Sequence, residues 1–275
     1  MSHTQSLRPP AVAGLFYPAE PARLRQDVAA MLDSARESVG VGDPPAALIV
    51  PHAGYVYSGP TAALAWVQAE SLRERLRRVV LLGPTHRVGV RALALPGCRA
   101  MDTPVGAVAV EVPPEIEALA QTGLVVTRPD VHAAEHSLEV QLPFMAAVLP
   151  GVPVVPLAVG WVSPQEAARA VSPFLGRQDC LVVVSSDLSH YLPEEAAHRV
   201  DTATLGRILS LSADIDHDEA CGATGVNALL LAAGEQGLSA RLLGAATSAD
   251  TIGSPDRVVG YCAVAFHHGR HGGHQ

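Results

Sequence analysis

The amino-acid sequence predicts an α/β fold: a single-domain α/β/α sandwich whose central sheet is mixed but mostly parallel. Short apolar runs of strand length alternate with longer stretches of helical spacing from Ala46 to Phe266, the pattern of strands buried on both faces and joined by crossover helices. No linker and no repeat of fixed period divides the 275 residues, so one domain over residues 1–275 is the economical organisation. Hydrophobic residues make up 48% and charged residues 17%, the composition of a chain that builds a core.

Taken in order, Arg8 to Pro18 (RPPAVAGLFYP) is proline-punctuated with an apolar middle, and is expected to pack across the sheet as an extended arm. Pro21 to Glu37 has helical spacing at Leu24, Val28, Met31 and Leu32. Leu48 to Val50 reads as a buried strand ending at Pro51, after which Gly54 and Gly59 favour tight, irregular backbone. Thr61 to Ala69 is an Ala-rich helix, and the arginine-dense Leu72 to Arg78 a solvated helical face. Arg78 to Leu82 is the second strand, and Ala92 to Pro96 and Val105 to Val112 are two more around a turn at Asp102-Thr103-Pro104. A helix follows at Pro114 to Thr122, and the segment opening at Ala134 has helical spacing at Leu138, Leu142, Met145 and Leu149. Val152 to Val159 is a strand, Pro164 to Leu175 a helix, and Cys180 to Ser185 a strand. Helices over Glu194 to Leu211 and Val226 to Glu235 precede closing strands at Arg241 to Ala246 and Val258 to Phe266. The glycine- and histidine-rich tail, 267–275, is expected to be disordered and to bind metal only adventitiously.

The formal charge of −8, from 27 acidic and 19 basic residues, offers no basic patch for a phosphate backbone, so nucleic acid is not an expected partner. No apolar run approaches the roughly 18 to 20 residues of a membrane span. The opening MSHTQSLRPPAVAG lacks a basic region followed by an apolar one, and a cytoplasmic location is expected. The cysteines Cys98, Cys180, Cys221 and Cys262 form no CxxC pair, which argues against a disulfide framework or a zinc ribbon. Cys180 and Cys262 sit in strand-like runs and read as buried, inert thiols.

Three predicted strands each carry a histidine just past their last apolar residues: His52, His86 and His190. A right-handed crossover between the first two makes those strands parallel, so both imidazoles should leave the sheet at one edge, where open α/β sheets bind ligands. Cys221 precedes Gly222 at a predicted helix start, where the helix dipole lowers a thiol pKa. His52, His86 and Cys221, with Asp187 and His190 nearby, form a donor set that suits iron(II), zinc or copper better than magnesium or calcium. The same residues also suit a cysteine nucleophile with a histidine base, and Cys221 can equally be a small buried residue in a tight loop. His136 and Glu139, three apart, either act together as a ligand or acid/base pair, or belong to a helix start where Glu135 meets the dipole and His136 faces solvent. GxSxG, GxxxxGK[ST], HExxH and GxGxxG are all absent, which weighs against serine hydrolases, P-loop NTPases, zincins and dinucleotide-binding oxidoreductases.

RPPAVAGLFYP at 8–18, PHAGYVYSG at 51–59, GPTH at 83–86, EHSLEVQLPF at 135–144, SSDLSHY at 185–191 and CGATG at 221–225 together resemble the MEMO family, the AmmeMemoRadiSam system protein B group. The resemblance implies the fold of the class III extradiol dioxygenases, non-haem iron enzymes that open catechol rings with O2. It implies a metal on His52, His86 and Cys221, Fe(II) first and copper or zinc as alternatives, with the thiolate standing where those dioxygenases use a carboxylate. It places His190 at their acid/base position, with Asp187 orienting its imidazole and His136 at the rim of the pocket. The implied activity is that of a dioxygenase-like oxidoreductase on a small molecule, and the alternative is a non-catalytic module that holds a peptide or ligand in the same cleft. The implied partners are AMMECR1-like and radical SAM proteins of the same system, and the high Ala, Arg and Pro content suggests a bacterial source.

Overall fold

The computed structural model describes residues 6–269. Its sheet is built from the apolar runs that the sequence marks. The strands β1 (Ala47–Val50), β2 (Arg78–Pro84), β7 (Val154–Val159) and β8 (Cys180–Ser185) are buried along nearly their whole length. Alternate residues of each strand serve opposite cores: Leu48, Val79, Leu81 and Val183 pack on one face, and Ile49, Val80, Leu82 and Val184 on the other. That two-sided demand explains why these strands are near-continuous apolar runs rather than alternating.

The remaining strands are β3 (Leu93–Leu95), β6 (Val125–Thr127), β9 (His190–Leu192), β10 (Leu238–Thr247) and β11 (Val258–His268). The order across the sheet is β10-β11-β1-β8-β2-β7-β3-β6, with β9 pairing β11. β1, β8, β2 and β7 run parallel, whereas β11 joins β1, and β3 joins β7, antiparallel. β4 (Ala100–Met101) and β5 (Val108–Ala109) form a separate two-stranded ribbon. One face carries α1 (Pro21–Val39), α2 (Tyr55–Trp66) and α5 (Leu142–Val148). The other carries α3 (Pro114–Gln121), α6 (Pro164–Leu175), α7 (Glu194–Leu209) and α8 (Ala223–Glu235). The short α4 (Pro129–Ala133) lies near β3 and packs Val131 into the first core. The chain is therefore an α/β/α sandwich around a mixed, mostly parallel sheet.

Several expectations are corrected. Gly54 and Gly59 do not build an irregular loop: Gly54 caps α2, which starts at Tyr55 and runs through Gly59 and Pro60. A Cβ on Gly59 would strike the Met31 sulfur, so glycine lets the Met31 side chain of α1 lie close against α2 despite its low helix propensity. Leu72 to Arg78 is not a helical face, because a 3₁₀ turn ends at Leu72 and β2 begins at Arg78. The residues from Ala134 to Leu138 are not helical, and the helical spacing is realised only as a 3₁₀ turn at Glu139–Gln141 followed by α5. The amino-terminal arm is folded rather than extended, turning at Gly14 (φ 81°) so that Phe16 reaches the ligand edge. His267 and His268 end β11 rather than opening a disordered tail; the tail expected from 270 to 275 lies outside the described residues.

Candidate metal centre

β1, β8 and β2 are parallel neighbours, so their carboxyl ends share one edge. His52 follows β1, Asp187 follows β8, and His86 follows β2. The imidazoles of His52 and His86 have centroids 5.2 Å apart. His136, from the segment before α5, stacks on His86 at 4.5 Å and stands 5.4 Å from His52. One ligand atom from each of His52, His86 and His136 lies within 4.8 Å of the others, so the three can hold a metal ion. Cys221, just before α8, places its sulfur 3.2 Å from Nε2 of His52.

The hydrogen bonds fix which ring nitrogens are free. Ser185 Oγ donates its single proton to the Ser137 carbonyl at 2.6 Å, so it accepts from Nε2 of Gln141 and, at 3.0 Å, from Nδ1 of His52. His52 is therefore the Nδ1–H tautomer, and its Nε2 lone pair faces the Cys221 thiol. Gln141 is held in turn by Trp66 Nε1, which donates to its Oε1 at 2.9 Å. In His86, Nδ1 donates to Glu135 Oε1 at 2.9 Å while its backbone N–H donates to Oε2 at 2.5 Å, which again leaves Nε2 free. A carboxylate behind an imidazole is the arrangement that orients metal-binding histidines.

Burial, followed by the neighbouring imidazoles, holds His52 well below the usual histidine range; burial holds His136 near about 4. Both are thus neutral, the form that binds metal, and the 3.3 Å approach of His136 Nδ1 to Glu135 joins a carboxylate to an uncharged ring. Burial alone would raise the Glu135 carboxyl, but the hydrogen bonds from the His86 ring and backbone and from Ser137 reverse this and hold it at about 2. The Cys221 thiol departs from the sequence expectation. Burial, and next the charge of Asp187, push it up, although the residue itself is half-buried on the cleft floor.

The predicted acid/base residues divide. His190 stands in β9 on the cleft wall, where burial lowers its pKa and a hydrogen bond with the Leu188 backbone works the other way. Asp187 accepts from the backbone N–H of His52 at 2.6 Å, so it fixes the His52 turn rather than the His190 ring; burial raises it to about 7. Behind the loop that carries His190, Asp201 accepts from the Ser189 N–H at 3.0 Å, and a Cβ on Gly260 would collide with that carboxylate. Glu139 does not pair with His136. It is fully buried and bound by Arg8, Tyr17 and the N–H groups of Ala11 and Val12. Ser185, Gln141 and Asp201 escaped the sequence reading; the available signals for the first two were the polar residues inside SSDLSH and EHSLEVQ, whereas Asp201, within α7, carries no such signal.

The imidazoles form the floor of a cleft of about 1020 Å³, walled by Phe16, Tyr57, His190, Tyr191, Arg257 and Tyr261 among others. Fold and site together define an α/β/α protein with an imidazole-rich ligand edge that can hold a metal. The Memo-like protein family model matches residues 8–265. The chain is 33% identical to a MEMO1 family protein of Desulfurococcus amylolyticus, over 94% of this chain and 99% of that one. It is 32% identical to one from Sulfolobus acidocaldarius, with the same coverage, and 34% identical to one from Methanopyrus kandleri, over 95% and 99%. The chain belongs to the Memo-like family. No helix among the described residues is long and apolar enough to cross a membrane.

Proposed function

We propose that this protein binds iron(II), or copper, on His52, His86 and Cys221, and acts as a non-haem, dioxygenase-like oxidoreductase on a small organic molecule. The observation that carries the reading is the pairing of two free Nε2 atoms, fixed by Ser185 and Glu135, with the Cys221 sulfur at 3.2 Å from one of them. Metal–sulfur and metal–nitrogen bonds of about 2.3 and 2.0 Å set two donors on one ion about 3.0 to 3.5 Å apart for right-angled to tetrahedral geometry. Two imidazoles and a thiol are also the soft donors that iron and copper accept. A bound ion would supply Lewis acidity and one-electron exchange with dioxygen. His190, on the cleft wall, would take a proton from a substrate hydroxyl entering the cleft, and Phe16, tilted against His136 with ring centroids 4.6 Å apart, would cover that side of the floor.

His136 is the competing third donor, and substitution separates the two sets. Protein purified anaerobically, loaded with iron(II) and analysed for metal should hold about one equivalent. His52→Ala and Cys221→Ala should each lower the affinity at least tenfold, with His136→Ala changing it less. Metal content indifferent to both His52→Ala and Cys221→Ala removes the assignment. Loss with His136→Ala but not Cys221→Ala makes the centre three imidazoles.

A further inference from the structure

We propose that the cleft recognises the carboxylate of a small organic acid through Arg257, with Tyr191 as the platform that aims it. Tyr191 has φ 60°, one of two non-glycine residues with positive φ among the described residues, and its side chain is 62% exposed on the cleft wall. Tyr191 is the extra residue where the pairing of β9 with β11 shifts register, and a bulky side chain held at that φ costs about 1–2 kcal/mol. The guanidinium carbon of Arg257 lies 4.6 Å from the centroid of that ring. The Tyr191 ring in turn meets His190 edge-on at 5.7 Å. Arg257 is thus one aromatic ring away from the proposed proton acceptor.

Stacking engages the face of the guanidinium and leaves its N–H edge outward. Among the described residues no hydrogen bond or ion pair takes up that edge; Asp218, which also lines the cleft, makes no ion pair with it. The chain contains no lysine, its 19 basic residues all being arginine, and Arg257 is the sole permanent cation of the cleft lining. One guanidinium matches one carboxylate by a paired, two-bond contact. A polyanion would face a protein of formal charge −8 with a single cation to meet it. The carboxylate would therefore anchor the far end of a molecule whose oxygen faces His52 and His86. This orientation rests on the metal reading; the anion contact itself does not.

The test uses the full chain in chelator, free of metal, so that its failure is separable from failure of the metal site. Benzoate, phenylacetate and 3-phenylpropionate are each titrated against the corresponding amide by calorimetry or ligand-observed NMR. At least one carboxylate should bind tenfold or more tightly than its amide, with an affinity that falls as salt rises. Arg257→Gln should erase the preference, and Arg257→Lys should restore part of it. The proposal is overturned if no carboxylate outbinds its amide, or if the preference survives Arg257→Gln in a variant with an unchanged thermal midpoint.

Discussion

Four N–H groups converge on the carboxylate of Glu135: the backbone and Nδ1 of His86, and the backbones of His136 and Ser137. One side chain thereby sets the tautomer of one imidazole and the path of the segment that carries another. Glu135→Gln keeps the shape but turns an amide NH2 toward donors, so His86 should lose its fixed Nδ1–H and its orientation. The expected result is a ten- to hundredfold fall in iron(II) affinity, measured by competition with a chelator, in a protein that still unfolds cooperatively. An unchanged affinity would show that Glu135 merely ties a loop. His52, His86 and Cys221 stand out in the sequence because each follows or precedes a strong element boundary. Ser185 and Gln141 do not, since their role exists only when residues from β1, β8 and the segment before α5 meet in space.

At the scale of elements, the amino-terminal arm is the least expected part. Glu139 lies at 0% exposure with Arg8 at 4%, and its oxygens accept from Tyr17 at 2.5 Å, Ala11 at 2.7 Å and Val12 at 3.0 Å. Arg8 also donates to the carbonyls of His132 and Glu135. The clamp therefore ties the arm, and Phe16 with it, to the segment bearing His136. Glu139→Ala leaves the Arg8 guanidinium buried and uncompensated, and should cost about 3–5 kcal/mol by chemical denaturation. A loss below about 1 kcal/mol would mean that water or a rearranged arm replaces the carboxylate. From sequence, His136 and Glu139 share a helical face, and that period misleads here because the backbone between them is not yet helical. The long apolar strands and α6, α7 and α8 were legible because burial on both faces or a clear stripe dictates their composition. β6, β9 and α4, of three to five residues, are set by neighbours rather than by local pattern.

For the molecule as a whole, gathering imidazoles at a buried sheet edge couples folding to pH. His52, His132, His136 and His190 are all held below the ordinary value of 6.5, with burial the largest cause in each. His132 isolates the effect from the metal centre. It is 1% exposed, its Nε2–H donates to the Ala94 carbonyl at 2.7 Å, and its pKa is about 4. Above pH 6.5 the ring is neutral in both folded and unfolded chains and there is no penalty. Between 6.5 and about 4 the unfolded chain takes up a proton that the folded one refuses, so stability falls as pH falls, by roughly 3 kcal/mol over the window for this one group. His132→Gln can keep a donor for Ala94 but carries no titrating ring. In chelator, the stability difference between wild type and His132→Gln should therefore shrink in the wild type's disfavour as pH drops from 7 to 4. A difference that stays constant over that range would mean that His132 is solvated and protonated in the native state. The imidazoles that suit the site to a metal also set the acid limit of the fold.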